Sequence, residues 1–419
     1  MSPKKLYVLI AVAVVALIAA WFINSSNAPQ REVTAAAQPL LPELHGHVND
    51  VNKIALIGAG DKVLATLRRG TDGWSIAEKS GYPADLAKIR QFLIQLDQAT
   101  VTEQKTSNPK LYAELGVDDV KDAKAKGVRV ELGGLAKPLT IIIGNYNGAG
   151  GGGTFVRLAS ATQSLLASGN LTVAKNMTDW EQRDLADIPS SRLRTVTLTG
   201  PDGKTLTIYK DAPGDANFKI ADVPKGREPS SQYVANELGA LLSSLRADDA
   251  FAAKDLTPPE KVYKADFAAF DGLNVAVIGW QQGGKDYVQL AARLDETAAN
   301  AQIDIDQAKA KAAYEAAVAA ANKKLADERT TTGPQAKADA QAAADVAKPL
   351  AVSDPAKDRS DRLAALNKEV ASLNKSFSGW TFAMPAYKFT DLTKTMDDML
   401  KPLPTKKPEA KKPAPKRHK

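Results

Sequence analysis

Residues 54–96 read IALIGAGDKVLATLRRGTDGWSIAEKSGYPADLAKIRQFLIQL, and this stretch decides the fold because the chain contains it twice. Two runs of alternating apolar and polar residues flank the turn at 58–61, which predicts a β-hairpin. Residues 73–76 predict a third short strand. Asp85 is a candidate N-cap for an amphipathic helix. Four apolar residues at helical spacing lie on one face of that helix: Ile89, Phe92, Leu93 and Leu96.

A second, degenerate copy runs from 196 to 245. Residues 195–199 and 204–210 predict another hairpin, and Phe218 takes the place of Trp74. Ser230 or Ser231 can cap a second helix. Four leucines on that helix repeat the spacing of the first one: Leu238, Leu241, Leu242 and Leu245. The predicted fold class is therefore α+β, with tandem duplicated domains of antiparallel sheet and packed helices.

Elements downstream of each helix extend the alignment. In the first copy we predict helices at 108–117 and 161–167 and strands at 128–132, 139–146 and 154–158. In the second copy, 274–280, 286–294 and 379–383 align with those three strands in turn, and 268–272 aligns with the closure of the first of those helices at Gly116. On this alignment, residues 300–376 are an insert in the loop that 147–153 occupies in the first copy.

The insert at 300–376 is rich in alanine, a strong helix former, and predicts an inserted helical hairpin. Residues 303–329 form its first predicted helix. In the second predicted helix, four apolar residues follow the 3-4-3 spacing of a short coiled-coil-like seam: Leu363, Leu366, Val370 and Leu373. Two interpretations of the seam stay open, packing within the protein and docking of a partner.

An uncharged apolar run at 6–23 follows Lys4 and Lys5. As a helix it spans about 27 Å, close to the hydrocarbon thickness of a bilayer. We therefore predict a transmembrane anchor with the N-terminus in the cytoplasm. A cleaved signal peptide is the alternative, but its apolar region is usually shorter. The predicted location is the bacterial inner membrane, single-pass, with the bulk of the chain in the periplasm.

The chain thus divides into six predicted segments: a cytoplasmic tip 1–5, the anchor 6–23, a linker 24–50, repeat domain 51–190, repeat domain 191–400 with the insert, and a tail 401–419. The tail holds eight Lys or Arg and one Glu, which accounts for the formal net charge of +7. It can engage anionic lipid or an acidic envelope polymer, or simply aid solubility. A basic tail on an otherwise neutral chain gives no sign of specific nucleic-acid binding.

Two glycine-rich stretches imitate nucleotide-binding motifs. Residues 54–60 resemble the start of a dinucleotide-binding fold, but Val63 replaces the third glycine and lies in a predicted strand instead of a helix. Residues 148–153 fit G-x-G-x-x-G but precede a strand, so no helix N-terminus is available for a phosphate. Both stretches are better explained as hairpin turns, and no cofactor is predicted.

No familiar catalytic constellation is present. The chain has no Cys, which excludes disulfides, thiolate metal sites and cysteine nucleophiles. His45 and His47, near Glu43 and Asp50, are two exposed histidines at a domain entrance or, alternatively, part of a metal site. The acid pairs Asp118-Asp119, Asp248-Asp249 and Asp397-Asp398 are interpreted as solvated caps. We assign no catalytic, cofactor-binding or metal-binding residue and predict a protein that is not an enzyme.

Several short motifs carry a resemblance to a bacterial family: Gly73-Trp74, Gly81-Tyr82-Pro83-Ala84-Asp85, Leu115-Gly116, Trp180 through Leu185, Gly379-Trp380, Tyr387 and Leu392-Thr393-Lys394. Over residues 51–400, apart from the insert, the chain resembles domain of unknown function 4340. The resemblance implies a single-pass envelope protein found beside ABC-type export permeases and gliding-type auxiliary proteins. It implies no catalytic residues.

From these features we expect a non-catalytic accessory or scaffold protein of an envelope ABC-type transport system. Its expected partners are a permease or ATPase and other envelope proteins. The alternative is a periplasmic lipid- or glycan-binding module that uses the groove between the two repeat domains.

Overall fold

The computed structural model describes residues 38–149, 151–329 and 352–403 as antiparallel sheets with seven helices. This confirms the predicted α+β class. The predicted anchor at 6–23 and nearly all of the basic tail lie outside the described residues. Within those residues, no helix is both long enough and apolar enough to cross a membrane.

The strands, in chain order, are β1 (Lys53–Gly58), β2 (Lys62–Gly70), β3 (Gly73–Ile76), β4 (Tyr82–Pro83), β5 (Val101–Gln104), β6 (Val128–Gly133), β7 (Leu139–Asn147), β8 (Gly153–Leu158), β9 (Ser164–Ser168), β10 (Asp184–Ala186), β11 (Leu193–Thr199), β12 (Thr205–Tyr209), β13 (Lys219–Ile220), β14 (Arg227–Pro229), β15 (Leu245–Arg246), β16 (Asp249–Ala252), β17 (Tyr263–Ala269), β18 (Leu273–Gln282), β19 (Lys285–Leu294), β20 (Trp380–Ala383) and β21 (Leu400–Pro402). The helices are α1 (Leu86–Gln98), α2 (Tyr112–Leu115), α3 (Val234–Gly239), α4 (Glu296–Arg329), α5 (Pro355–Phe377), α6 (Ala386–Leu392) and α7 (Met396–Met399).

The chain forms two compact units. The first contains the chain up to Asp72 and Leu86–Met177, and the second contains Gly73–Asp85 and the chain from Thr178 onwards. Gly73–Asp85, the strap, therefore belongs to the second unit, although the predicted domain 51–190 includes it. The folded part of the first unit begins inside the predicted linker. Three leucines from that linker are buried: Leu40, Leu41 and Leu44.

Strands follow the same order in both units. In the first unit they run β2-β1-β6-β7-β8-β9-β5, and in the second β12-β11-β17-β18-β19-β20-β16. This shared order starts with the predicted hairpin, outside which β13 also pairs with β12 in the second unit, and it ends on a strand that comes earlier in the chain than its neighbour. The first hairpin is as predicted, because Gly60 and Asp61 adopt positive φ and a strand follows them directly.

Several sequence predictions were wrong. Residues 161–167 were expected to be helical, but β9 lies there and pairs with both β8 and β5. Strand pairing on two sides overrides the weak local preference for helix. In addition, β17 was missed, because 268–272 was interpreted as a helix closure. By position in the sheet, β17, β18, β19 and β20 correspond to β6, β7, β8 and β9. The insert thus falls between β19 and β20 and corresponds to the short β8–β9 connection, not to the glycine loop at 147–153.

The second predicted helix is shorter than expected. Its four leucines are all buried, but α3 ends at Gly239, and Leu245 lies on β15. The expected serine cap is absent from α3, whose N-cap is Tyr233. After the helix, Ser244 turns the chain with φ 46°. The ammonium of Lys388 on α6 donates to the carbonyls of this turn, those of Ala240, Leu241 and Ser243.

Helix α5 packs against the outer edge of β19. Strand β20 pairs with only Tyr287 and Val288 of that edge. Further along, the Asn374 amide of α5 donates to Ala292 O and accepts from Ala292 N, both at 2.8 Å. On the predicted seam, Val370 and Leu373 pack against the core of the second unit. This part of the predicted seam therefore packs within the protein.

Candidate functional site: a buried ion cluster in the second unit

The strap turns sharply and presents one lysine. Strands β3 and β4 pair within it, and Lys79 ends a short 3-10 helix between them. Ser80 and Gly81 follow with φ 53° and 81°, and Gly81 N donates to Ile76 O. Glycine adopts this left-handed conformation without a steric penalty, so the Gly81-Tyr82 motif has a local structural reason.

The chain segment around Glu181 runs antiparallel to the end of the strap. Asp85 N donates to Trp180 O at 2.8 Å, and Gln182 N donates to Pro83 O at 3.0 Å. Trp180 is buried, with 2% of its surface exposed. This pairing brings two of the sequence motifs together and places the Glu181 side chain beside Lys79.

Three charged side chains meet here: Lys79, Glu181 and Asp249. Lys79 Nζ lies 3.1 Å from Glu181 Oε1 and forms a closer pair with Asp249 at the start of β16. The same ammonium donates to Ala250 O at 3.1 Å and lies 4.8 Å from the centroid of the Phe251 ring. One ammonium therefore pairs with two carboxylates, donates to a carbonyl and lies over an aromatic ring.

Glu181 is the most buried charged group of this cluster, with 2% of the residue exposed. Its Oε1 is close enough to Lys79 for an ion pair, but neither carboxylate oxygen receives a well-aligned hydrogen bond. Burial raises the pKa of Glu181 to about 7, the positive charge of Lys79 opposes that rise, and the negative charge of Asp249 adds to it. The cluster thus contains a carboxyl group that exchanges its proton near neutral pH.

Tyr82 covers this cluster from the strap side. Its ring meets Trp380 of β20 edge-on, with centroids 4.8 Å apart, and its hydroxyl donates to Gln182 O at 2.7 Å. Burial, followed by the negative charges of Glu181 and Asp249, raises the pKa of Tyr82 well above its usual range. Tyr82 therefore stays protonated and acts as a hydrogen-bond donor.

This cluster was missed at the sequence level. Asp249 was interpreted as a solvated cap, which is wrong, because it pairs with Lys79 and is largely buried. The other acids of that prediction differ: Asp248 pairs with Arg183 at the surface, and Asp398 caps α7 through Thr395. A usable signal was present, since the motifs around Tyr82, Trp180 and Trp380 flank the cluster.

His45 and His47 each contact a different carboxylate. His45 Nδ1 lies 3.4 Å from Asp97, and His47 Nδ1 lies 2.8 Å from Asp50. Both imidazoles are largely exposed. Among the described residues, no group of three or more His, Asp or Glu side chains is arranged to hold a metal ion.

A groove of about 650 Å³ lies elsewhere in the second unit, between the β11–β12 turn and the segment that joins α6 to α7. Its apolar lining comes from Leu198, Leu206, Tyr263, Leu392 and Met396. Its polar lining includes Thr205, Thr393 and Lys394. Lys394 also pairs with Glu237 and Asp391, each at 2.8 Å, so its charge is compensated within the protein.

The fold and the cluster define an α+β protein of antiparallel sheets, in which a strap is fastened by a buried Lys-Glu-Asp cluster. Residues 74–266 of this protein match the family described as Domain of unknown function (DUF4340). The resemblance noted from the sequence motifs is thereby confirmed over these residues. The matched segment starts at Trp74 in the strap, ends at Asp266 on β17, and includes all three charged residues of the cluster. No curated protein and no solved structure matches the chain.

Proposed function

We propose that this protein is a non-catalytic accessory protein that holds components of an envelope ABC-type transport system together. In this proposal residues 6–23 anchor it in the bacterial inner membrane, and the bulk of the chain lies in the periplasm. The two units arose by tandem duplication, and the insert in the second is an arm for protein contacts. The transporter context rests on what the family resemblance implies.

The observation that carries the proposal is the length of α4 relative to its own packing. This helix has 34 residues, which corresponds to about 51 Å. It is held at its base, where Ala299 and Ile303 are buried and Gln307 bonds to Pro355 O and Asp358 at the start of α5. From Ala308 to Lys324, none of the described side chains is fully buried. A long helix with no fully buried side chain among its described residues beyond Gln307 is suited to contact a partner.

Crosslinking in intact cells tests this proposal. A photo-reactive amino acid is placed at Ala316, an exposed position on the extended part of α4. The matched control places it at Thr172, which is exposed in the first unit. We expect permease subunits to crosslink from Ala316 and not from Thr172. Repeated recovery of no transporter component from α4 would contradict the proposal.

Location is tested separately with a reporter fused after Lys419, which leaves residues 1–419 intact. The reporter is of a kind that works only in the periplasm, and we expect it to be active. Cytoplasmic activity would overturn the proposed orientation, and release of the fusion protein by washing without detergent would overturn the anchor.

A second candidate function is ligand binding, and the groove in the second unit favours it. Its volume of about 650 Å³ lies within the range of small-molecule sites, and its mixed lining suits a lipid or a glycan.

A bound ligand raises the melting temperature of the folded state. Thermal-shift screening of the full-length protein with envelope lipids and glycans should therefore find a ligand. Thr205→Trp, which fills the groove from an exposed position, should abolish the shift, whereas Gln232→Trp should not. If no lipid or glycan shifts the wild-type protein, this candidate fails.

A further inference from the structure

The strap contacts the rest of the second unit through backbone hydrogen bonds, the ion cluster and a buried tyrosine. Its backbone is joined to the rest of the unit by the Asp85–Trp180 and Gln182–Pro83 hydrogen bonds. Its side chains contribute Lys79 in the ion cluster and Tyr82 against Trp380. Both ends of the strap continue into residues of the first unit, Asp72 and Leu86. The ion cluster is therefore one of the contacts that hold the strap in the second unit.

We propose that the strap is a pH-dependent latch whose docking is controlled by the protonation of Glu181. When Glu181 is protonated, the single ammonium of Lys79 is balanced by Asp249 alone, and the buried cluster is neutral. When Glu181 is ionised, two carboxylates face one ammonium, and the cluster carries a net negative charge. An uncompensated charge is costly to bury, so the docked strap is weakened.

The groups that face Glu181 come from each element packed against it. The strap supplies Lys79 and Tyr82, and β16 supplies Asp249. Tyr82 remains protonated and adds no charge. The nearby Arg183 is directed to Ala247 O and Asp248, to which it donates at 2.7 and 3.2 Å. No described contact of Arg183 neutralises the cluster.

The direction of the pH effect follows from the two states of Glu181. In the docked state burial raises the pKa of Glu181 to about 7, whereas its ordinary value is 4.5. Undocking returns the carboxyl to water and to its ordinary pKa. Docking is therefore strongest below pH 4.5, weakens as the pH rises towards 7, and levels off above it. Each pH unit between the two pKa values corresponds to a factor of about ten in the docking equilibrium.

Hydrogen exchange on the full-length protein tests the latch. The reporting amides are those of Asp85 and Gln182, which join the strap to the rest of the unit. Those of Lys210 and Ala221, bonded to Arg194 O and Thr207 O, are references within the same unit. After correction for the intrinsic pH dependence of exchange, we expect the protection of the reporting amides to fall at least about tenfold between pH 5 and pH 8. The reference amides should change far less.

The variant Glu181→Gln keeps the shape of the side chain and cannot ionise. It should retain strong protection of the strap at both pH values. Asp248→Asn, which removes an exposed neighbouring carboxylate, should leave the loss of strap protection between pH 5 and pH 8 unchanged. If Glu181→Gln does not fold, the carboxyl carbon of Glu181 is titrated by NMR in the wild-type protein. Its midpoint must then coincide with that of strap protection. Unchanged protection in the wild-type protein, a fall that persists in Glu181→Gln, or two different midpoints would overturn the proposal.

Discussion

Gly239, the last residue of α3, lies against the ring of Phe218. A Cβ added at this position would lie 2.2 Å from Phe218 Cε2, well inside contact distance. That ring is buried, and Lys210 Nζ lies 4.5 Å from its centroid, so it has little freedom to move away. The requirement for glycine here is therefore one of space, since no positive φ is involved.

We expect Gly239→Ala to destabilise the protein. Alanine favours a helix over glycine by up to about 1 kcal/mol, but overpacking a filled core costs about 1–3 kcal/mol, so the steric cost should win. Urea unfolding measures the difference. The control is Gly214→Ala, at a position with open space around it, which should change stability by less than about 0.5 kcal/mol. Equal effects of the two substitutions would contradict this account.

The burial of single residues could be predicted from the sequence, but the ion cluster could not. Burial of Ile89, Phe92, Leu93 and Leu96 follows from spacing along one helix, and the structure confirms it. Lys79, Glu181 and Asp249 lie about 70 to 170 positions apart, and of the three only Asp249 belongs to a pair noted in the sequence. Their meeting depends on which strand lies beside which, and spacing along the chain carries no such information.

At the scale of elements, α5 protects an exposed strand edge. Beyond Val288, no strand among the described residues pairs with the outer side of β19, and unpaired edges favour association with other chains. Asn374 offers one donor and one acceptor to Ala292, as a neighbouring strand would. The Asn374 side-chain amide, which belongs to a helix, therefore continues the hydrogen bonding of the sheet edge.

Replacing this amide should cost stability. In Asn374→Ala the backbone N–H and C=O of Ala292 lose their partner, which costs about 1–3 kcal/mol where water cannot replace it. Asn367→Ala on the same helix is the matched control, because its amide donates only to Leu363 O one turn earlier. Both variants gain the same helix propensity, so the difference between their unfolding free energies isolates the edge contact. Variants of equal stability would show that α5 does not protect the edge in this way.

Predictions of whole elements succeeded where a local pattern was strong. The opening hairpin alternates over two runs around a glycine turn, and it forms as expected. Strand β9, with the sequence Ser-Leu-Leu-Ala-Ser, has no comparable pattern and is a strand because it pairs on both sides. That error and the missed β17 shifted the alignment of the copies by one strand. The place of the insert was therefore predicted incorrectly, whereas the helices within it were predicted correctly.

At the scale of the whole molecule, the family match and the units of folding have different boundaries. The matched segment 74–266 begins in the strap and ends within β17. It lacks β18, which pairs along most of β17, and it also lacks β19 and β20. Without β20, Trp380 and Phe382 are missing from the surroundings of Tyr82. The segment also lacks β1 and β2, and β1 is the strand that pairs with β6 in the first sheet.

We therefore expect a fragment of residues 74–266 not to fold cooperatively, although it contains the full family match. Thermal unfolding followed by near-UV circular dichroism should give a sharp transition for residues 38–403 and none for 74–266. The fragment should also bind a hydrophobic dye, because strands buried in the sheets are exposed. The longer protein is the control, since it differs from the full chain only by the termini. A cooperative transition in the fragment would mean that β17 and the strap are stable without their partners.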